Sequence, residues 1–192
     1  MNTLTLNLNP VGQLTETAFG ELCQANPDIA LERTATGELI IVSPVGGDSG
    51  RKETDLSSYL WFWNRQTGLG VVFSSSTIFH LPNGAFRSPD VAWVSQERWS
   101  ALSEDERAGF PPICPDFVIE LRSRTDRLPP LQEKMQEYLE NGIRLGWLIN
   151  PQGKQVEIYR PNLAVEVLSS PTSLSGEEVL PGLVVDLSGI ID

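Results

Sequence analysis

The sequence is poor in cysteine and histidine, which limits the metal sites and covalent frameworks it can build. Its 192 residues include two cysteines and one histidine. Cys23 and Cys114 lie far apart, without C-x-x-C spacing and with only His80 as an imidazole partner, so neither a zinc site nor a disulfide framework is predicted. We expect two reduced thiols.

Long apolar runs are also missing. No stretch approaches the roughly 18 apolar residues that a membrane-spanning helix needs. The segment from Met1 to Pro10 lacks the basic start and the long apolar centre of a secretory signal peptide. These features predict a cytoplasmic protein that has no membrane partner.

Positive charge is scarce, since 14 Lys and Arg residues are outnumbered by 25 Asp and Glu, for a formal net charge of -11. Non-specific affinity for nucleic acids comes chiefly from Lys and Arg, so this balance argues against a general nucleic-acid-binding protein. It does not exclude an enzyme that acts on DNA, because carboxylates that hold Mg²⁺ add to the negative total and a local basic patch can persist. No Gly-rich phosphate loop, nucleophile elbow or H-E-x-x-H motif is present.

The apolar patterns predict an ordered set of helices and strands. Two short runs joined through Thr36-Gly37 indicate an N-terminal hairpin. The order from Ser49 onward is α-β-β-β-α-β, followed by another strand, and the segments are 49–65, 71–81, 88–94, 117–122, 129–141, 145–149 and 155–159. Segment 100–115 is predicted to be a loop with one helical turn at most. We expect a single α/β domain over residues 1–192, with a mixed, curved sheet flanked by helices and the hairpin as an extension.

Two carboxylates interrupt otherwise apolar, strand-like runs. Asp90 precedes Val91-Ala92-Trp93-Val94, and Glu120 lies within Phe117-Val118-Ile119-Glu120-Leu121. Burying a carboxylate among apolar side chains costs several kcal/mol unless a cation or hydrogen bonds offset it. Because side chains on neighbouring strands can converge on one ion, Asp90 and Glu120 predict a shared divalent cation, Mg²⁺ or Mn²⁺.

A third carboxylate, Glu53, falls on the inner face of the predicted helix 49–65. It lies three residues before Leu56, one turn ahead of the apolar part of the stripe, whereas Asp55 should face water. A glutamate at a helix start can simply be a favourable charge near the positive end of the helix dipole. The alternative is a third carboxylate of the metal site, and both interpretations stay open.

Pro89-Asp90 and Glu120-Leu121-Arg122 form a P-D…E-x-R pattern that resembles the PD-(D/E)XK nuclease superfamily, whose core has the same α-β-β-β-α-β order. More segments, in the correct order, resemble the Uma-type putative restriction endonuclease family within it: 37–40, 87–91, 115–123, 134–138 with 142 and 147–151, and 180–183. The resemblance implies a restriction-endonuclease-like fold. It also implies a Mg²⁺-dependent endonuclease that hydrolyses phosphodiester bonds of DNA.

The resemblance also implies roles for individual residues. Asp90 and Glu120 correspond to metal ligands, the backbone carbonyl of Leu121 to a further oxygen ligand, and Glu53 to a ligand that acts directly or through water. The third motif position departs from the superfamily pattern, because Arg122 stands where Lys is usual. Arginine keeps its proton under ordinary conditions, so Arg122 suits a phosphate clamp better than a general base.

Lys134, on the following predicted helix, is the candidate for the missing amine. It lies at the edge of an apolar stripe, one turn before Tyr138, so the alternative is a lysine that packs its stem there and extends its charge into water. The departure at Arg122 and the low pI favour a rival function, a catalytically impaired nuclease fold that binds DNA or protein. The aromatic run Trp61-Phe62-Trp63 predicts either a homodimer contact or a helix buried on three sides.

Overall fold

The computed structural model describes residues 3–8, 10 and 12–191; Met1, Asn2, Asn9, Val11 and Asp192 lie outside that part of the chain. The helices within it are α1 (Glu16–Ala25), α2 (Gly47–Thr67), α3 (Gln96–Ser100), α4 (Glu104–Ala108) and α5 (Leu128–Glu140). None of these helices is long and apolar enough to cross a membrane. α2 confirms the helix predicted over 49–65. It ends at Gly68, whose left-handed backbone (φ 66°) favours a residue without a Cβ.

Among the described residues, the central sheet has six strands in the order β11-β10-β9-β8-β7-β4. Their bounds are β4 (Gly70–Phe73), β7 (Val91–Ser95), β8 (Phe117–Leu121), β9 (Leu145–Asn150), β10 (Gln155–Tyr159) and β11 (Glu166–Ser169). β8 and β9 pair in parallel, whereas the other neighbours are antiparallel, so the sheet is mixed as predicted. A parallel pair needs a crossover connection, and α5 supplies it between β8 and β9.

The alternation of side chains along β8 divides the core into two layers. Ile119 belongs to the layer that contains Leu56 of α2. Val118 belongs to the opposite layer, which contains Met135 of α5. Glu120 lies two residues after Val118 and therefore on the same face of the sheet, so its carboxylate faces α5.

A second sheet, with five strands in the part of the chain that the structure describes, has the order β1-β3-β2-β6-β5 and contains the predicted hairpin. Its strands are β1 (Thr3–Leu6), β2 (Ala30–Arg33), β3 (Leu39–Val42), β5 (Phe79–His80) and β6 (Phe86–Arg87). The hairpin β2–β3 is tied to the rest of the chain, because β2 pairs with β6 through Arg33 and Phe86. This pairing brings the N-terminal segment next to the turn that precedes β7.

The strand predicted over 71–81 is divided in the structure. β4 ends at Phe73 in the central sheet, and β5 begins at Phe79 in the second sheet. Between them the Thr77 N–H donates to the Ser74 carbonyl (3.0 Å), and the hydroxyls of Ser74 and Ser76 lie 2.9 Å apart. Serine side chains offer local hydrogen bonds that compete with strand pairing. The prediction of one continuous strand is therefore wrong.

The segment 100–115 contains the helical turn that the sequence allowed, α4. Ser103 caps it, since its hydroxyl accepts from the Glu106 N–H (3.3 Å) and the Glu106 carboxylate accepts from the Ser103 N–H (2.8 Å). Such a capping box satisfies two backbone donors at a helix start, which explains a helix of only five residues.

The C-terminal hairpin folds onto the layer that contains α2. β12 (Ser173–Ser175) pairs antiparallel with β13 (Val184–Asp186). Leu174 and Val185 join the same core cluster as the inner side chains of α2, and the Trp63 indole N–H donates to the Pro181 carbonyl (3.0 Å). That residues 1–192 form one domain stays a prediction.

Candidate functional site

Asp90 lies directly before β7, opposite Glu120 of the neighbouring strand. Val91 pairs with Ile119, so one step beyond this pair Asp90 is opposed to Glu120, with about 4.5–5.5 Å expected between the Cβ atoms of directly opposed residues. Asp90 is 4% exposed and Glu120 is 2% exposed. Two carboxylates are thus buried side by side on the face of the sheet that α5 covers.

The two carboxylate oxygens of Asp90 have different surroundings. Oδ2 accepts a hydrogen bond from the Leu121 N–H (2.7 Å). Oδ1 is buried and, among the described residues, has no hydrogen-bond partner. A bound ion or water is an ordinary explanation for such an atom. Burial raises the pKa of Asp90 well above its usual range and the charge of Glu120 raises it further, although Lys134 opposes both.

Lys134 brings a positive charge to this pair from α5. Its Nζ lies 2.8 Å from Glu120 Oε1, 2.9 Å from Glu32 Oε1 and 3.0 Å from the Ser88 carbonyl oxygen. These acceptors match the three N–H donors of an ammonium group. Burial opposes the charge of Lys134, but the carboxylates of Glu120, Glu32 and Asp90 outweigh it and raise the pKa of Lys134 above its ordinary value. Lys134 is therefore a cation at neutral pH and acts through its charge and hydrogen bonds.

Burial and hydrogen-bond donors act on the pKa of Glu120 in opposite directions. Its Oε1 also accepts a hydrogen bond from the Tyr138 hydroxyl (3.3 Å). Burial raises the pKa of Glu120, while Lys134 and Tyr138 favour its ionised form, and the net shift is upward. A carboxylate in this setting takes up a proton more readily than one in water.

Glu32, on β2, is a member of the site that the sequence did not indicate. It is 3% exposed. Its Oε1 accepts from Lys134 and from the Ser88 N–H (3.0 Å), and its Oε2 accepts from Arg87 Nη1 (3.2 Å). Burial would raise the pKa of Glu32, but the positive charges of Lys134 and Arg87 outweigh it and lower that pKa. Glu32 thus stays ionised.

Arg87 extends the network to Glu137 on α5, through a 2.5 Å contact between Nε and Oε2. The resulting charge cluster contains the carboxylates of Glu32, Asp90, Glu120 and Glu137 and the cations Arg87 and Lys134. When all six groups are ionised, two negative charges are in excess. Burial is the first cause of the raised pKa values of Asp90 and Glu120, and the neighbouring carboxylates add to it. One divalent cation would cancel the excess negative charge.

Glu53 lies near the cluster but in a different depression of the surface. Its negative charge is one of the influences that raise the pKa of Asp90. Its side chain lines a shallow groove of about 440 Å³ with Trp61 and Val72, apart from the cleft that Asp90 and Glu120 line. Within the described ranges, no group of three or more Asp, Glu, His or Cys side chains is arranged to hold a metal ion. Mg²⁺ sites often use one or two protein carboxylates, completed by water and substrate phosphates, so the pair Asp90–Glu120 fits such an ion.

Arg122 makes its hydrogen bonds with groups outside this pair. Its Nε donates to the Asp126 carbonyl (3.1 Å) and its Nη1 donates to Asn150 Oδ1 (3.1 Å). Leu121 lines the cleft beside Asp90. The structure therefore brings together Asp90, Glu120, Leu121 and Lys134 of the predicted residues, and it places Glu53 and Arg122 at the margins.

The cluster opens into a cleft of about 530 Å³ between the second sheet and α5, a volume in the range of small-molecule sites. Acidic side chains outnumber basic ones along its walls. The acidic ones are Glu32, Glu38, Asp90, Glu120, Asp126, Glu133 and Glu137, and the basic ones are Arg87, Arg127 and Lys134. A polyanionic ligand would be repelled from such a cleft unless cations accompany it.

Comparison with known proteins supports the fold and gives the family of this chain. A solved structure described as a putative nuclease belonging to DUF820 from Anabaena variabilis superposes with a TM-score of 0.77 at 21% identity, covering 93% of this chain and 97% of that chain. Residues 17–188 match the family described as "Uma2: Putative restriction endonuclease". No curated protein in the comparison matches the chain. The chain belongs to the Uma2 family.

Proposed function

We propose that the protein is an endonuclease that uses Mg²⁺ or Mn²⁺ to hydrolyse phosphodiester bonds of DNA in this cleft. The observation that carries the proposal is the buried pair Asp90–Glu120. In the part of the chain that the structure describes, one Asp90 oxygen has no hydrogen-bond partner, and the pair belongs to a cluster with excess negative charge. Family membership supports a nuclease. Asp90 and Glu120 would hold the ion with the carbonyl of Leu121, and Glu53 would contribute through water.

A bound divalent ion lowers the pKa of a water molecule and stabilises negative charge that develops on the phosphate. The protein's own cations assist in other ways. Lys134, held as an ammonium group, adds fixed positive charge next to Glu120. Arg122 uses two of its five N–H donors on Asp126 and Asn150, and we propose that the others bind a phosphate oxygen of the DNA.

Plasmid nicking tests the proposal directly. We expect the purified protein to convert supercoiled DNA to open circles with Mg²⁺ or Mn²⁺ at low salt, where screening least weakens DNA binding, and to stop when EDTA is added. Heat-inactivated protein is the control for contaminating ions. A protein that binds divalent ions but leaves several DNA substrates intact under these conditions would contradict catalysis.

The rival function is a catalytically impaired member of the fold that binds DNA or protein. The observation that favours it concerns Arg122, which is hydrogen-bonded to Asn150 and to the Asp126 carbonyl. The motif position that usually carries lysine therefore places no amine of its own beside Asp90 and Glu120. DNA retention in a gel-shift experiment without any nicking would support this rival.

We also propose that the protein forms a homodimer through the outer face of α2. Trp61 and Phe62 are 55% and 60% exposed, which argues against a helix buried on three sides within one chain. With Val184 they line a groove of about 750 Å³, and an exposed apolar patch is typical of an interaction surface. Light scattering should give twice the 21.2 kDa chain mass, and Phe62→Asp should halve it. A monomeric wild type would contradict the dimer.

The cellular location that we propose is the cytoplasm. Both Cys23 and Cys114 are free thiols, which is the usual state in a reducing compartment. A fluorescent fusion that accumulates outside the cytoplasm would contradict this location.

A further inference from the structure

To the cluster of six charged groups the N-terminal hairpin contributes Glu32, whereas the other carboxylates come from β8, from the residue before β7 and from α5. The pairing of Arg33 with Phe86 holds β2 against β6, and Arg87, the next residue of β6, then reaches Glu32. Glu32 is 3% exposed and accepts hydrogen bonds at both carboxylate oxygens. A buried carboxylate with this many donors is held in one orientation.

Lys134 is shared between two carboxylates. Its Nζ lies 2.8 Å from an oxygen of Glu120 and 2.9 Å from an oxygen of Glu32. A divalent ion bound by Asp90 and Glu120 would compete with Lys134 for the oxygens of Glu120. If Glu120 were the sole carboxylate partner of Lys134, metal binding would break a buried ion pair, which is costly.

Glu32 also reaches the turn that carries Asp90. The same Oε1 that contacts Lys134 accepts from the N–H of Ser88, two residues before Asp90. The Ser88 carbonyl in turn accepts from Lys134 (3.0 Å). Glu32, Ser88 and Lys134 therefore form a closed set of contacts beside both proposed metal ligands.

We propose that Glu32 is a positioning residue of the metal site, which retains Lys134 when Glu120 turns an oxygen toward the ion. This inference rests on the proposed function, because it assumes that Asp90 and Glu120 hold a divalent cation. Glu32 does not touch the ion in this account. It acts through Lys134 and through the backbone of Ser88.

Calorimetric titration with Mn²⁺ tests the role of Glu32. Glu32→Gln should weaken Mn²⁺ binding by roughly 10-fold to 100-fold, the usual cost of losing a partner that orients a metal ligand. Glu32→Asp, which keeps the charge, should recover part of that loss. The matched control is Glu133→Gln, because Glu133 is an exposed carboxylate of the same cleft and its loss reports only the general effect of one negative charge.

A double-mutant cycle shows whether Glu32 acts through Lys134. In a Lys134→Gln background, Glu32→Gln should change Mn²⁺ affinity by less than about threefold, since coupled residues are not additive. Thermal melts without metal establish that each variant is folded. The inference would be overturned if Glu32→Gln and Glu133→Gln bound Mn²⁺ with equal affinity while Glu32→Gln had the lower melting temperature. Glu32 would then have only a structural role. A wild type that binds no Mn²⁺ would overturn the proposed function and the inference together.

Discussion

Asp90→Asn should make the metal-free protein more stable at about pH 8 and should also abolish Mg²⁺-dependent nicking. Burial and the charge of Glu120 raise the pKa of Asp90 in the folded state. The folded state then binds this proton more tightly than the unfolded state, so the contribution to stability is present at low pH and is lost as the pH rises through the raised pKa. Asparagine keeps an acceptor for the Leu121 N–H and removes the unfavourable charge.

The expected gain in melting temperature is a few degrees, because 1 kcal/mol corresponds to about 2–4 °C in a chain of this size. The gain should shrink as the pH falls and should disappear only below about pH 3.9, the ordinary pKa of an unfolded aspartate, where the carboxyl group is protonated in both states. At higher pH, added Mg²⁺ should give the wild type a higher melting temperature than Asp90→Asn, since the ion stabilises only the protein that binds it. The loss of nicking should reach about 10³-fold, if the ion contributes several kcal/mol to the reaction.

Asp116→Asn is the matched control for this experiment. Asp116 is also buried, but its Oδ1 lies 3.0 Å from Arg98 and its Oδ2 accepts from the Ser95 N–H. Loss of its charge removes an ion pair, so Asp116→Asn should lower the melting temperature. If Asp90→Asn instead lowers the melting temperature of the metal-free protein, as we expect for Asp116→Asn, then the site does not carry an excess of negative charge.

Of these variants, Lys134→Met should lower the free energy of unfolding most. It leaves Glu120 and Glu32 without their shared cation, and removing one partner of a buried ion pair costs about 3–5 kcal/mol. Added Mg²⁺ should raise the melting temperature of this variant more than that of wild type, because the ion then replaces a missing charge. Differential scanning calorimetry with and without Mg²⁺ measures both effects.

Two further variants separate the roles of this lysine. Lys52→Met removes a lysine of α2 whose carboxylate partner, Asp48, is exposed to water, so it should lower the melting temperature far less than Lys134→Met. Lys134→Arg keeps the charge but cannot act as a base, so it should retain measurable nicking if Lys134 works as a cation. Complete inactivity of a folded Lys134→Arg protein that still binds Mn²⁺ would contradict this role.

The sequence predicted the parts of the site that depend on neighbouring strands. Asp90 and Glu120 interrupt apolar runs, and the register of two adjacent strands is enough to bring such residues together. Lys134 could be placed because helical spacing puts it one turn before the buried Tyr138. In each case a local pattern determines which face of an element the side chain occupies.

The contribution of Glu32 could not be predicted in the same way. Its position depends on the pairing of Arg33 with Phe86, which brings together segments far apart in the chain. The short strand that contains Phe86 gives little periodic signal, and the turn at Ser74 also redirected a run that resembled one strand. The orientation of Arg122 likewise depends on Asn150, which belongs to a strand beyond α5.

Diffraction from crystals soaked in Mn²⁺ shows whether Asp90 and Glu120 hold the ion, because anomalous scattering locates Mn²⁺ without any assumption about activity. We expect one peak beside Oδ1 of Asp90 and a carboxylate oxygen of Glu120, at about the 2.1 Å typical of Mg²⁺ and oxygen. Lys134 should remain in contact with Glu32 in the same map. A peak elsewhere on the protein, with none at this pair in crystals of a protein that nicks DNA, would contradict the account.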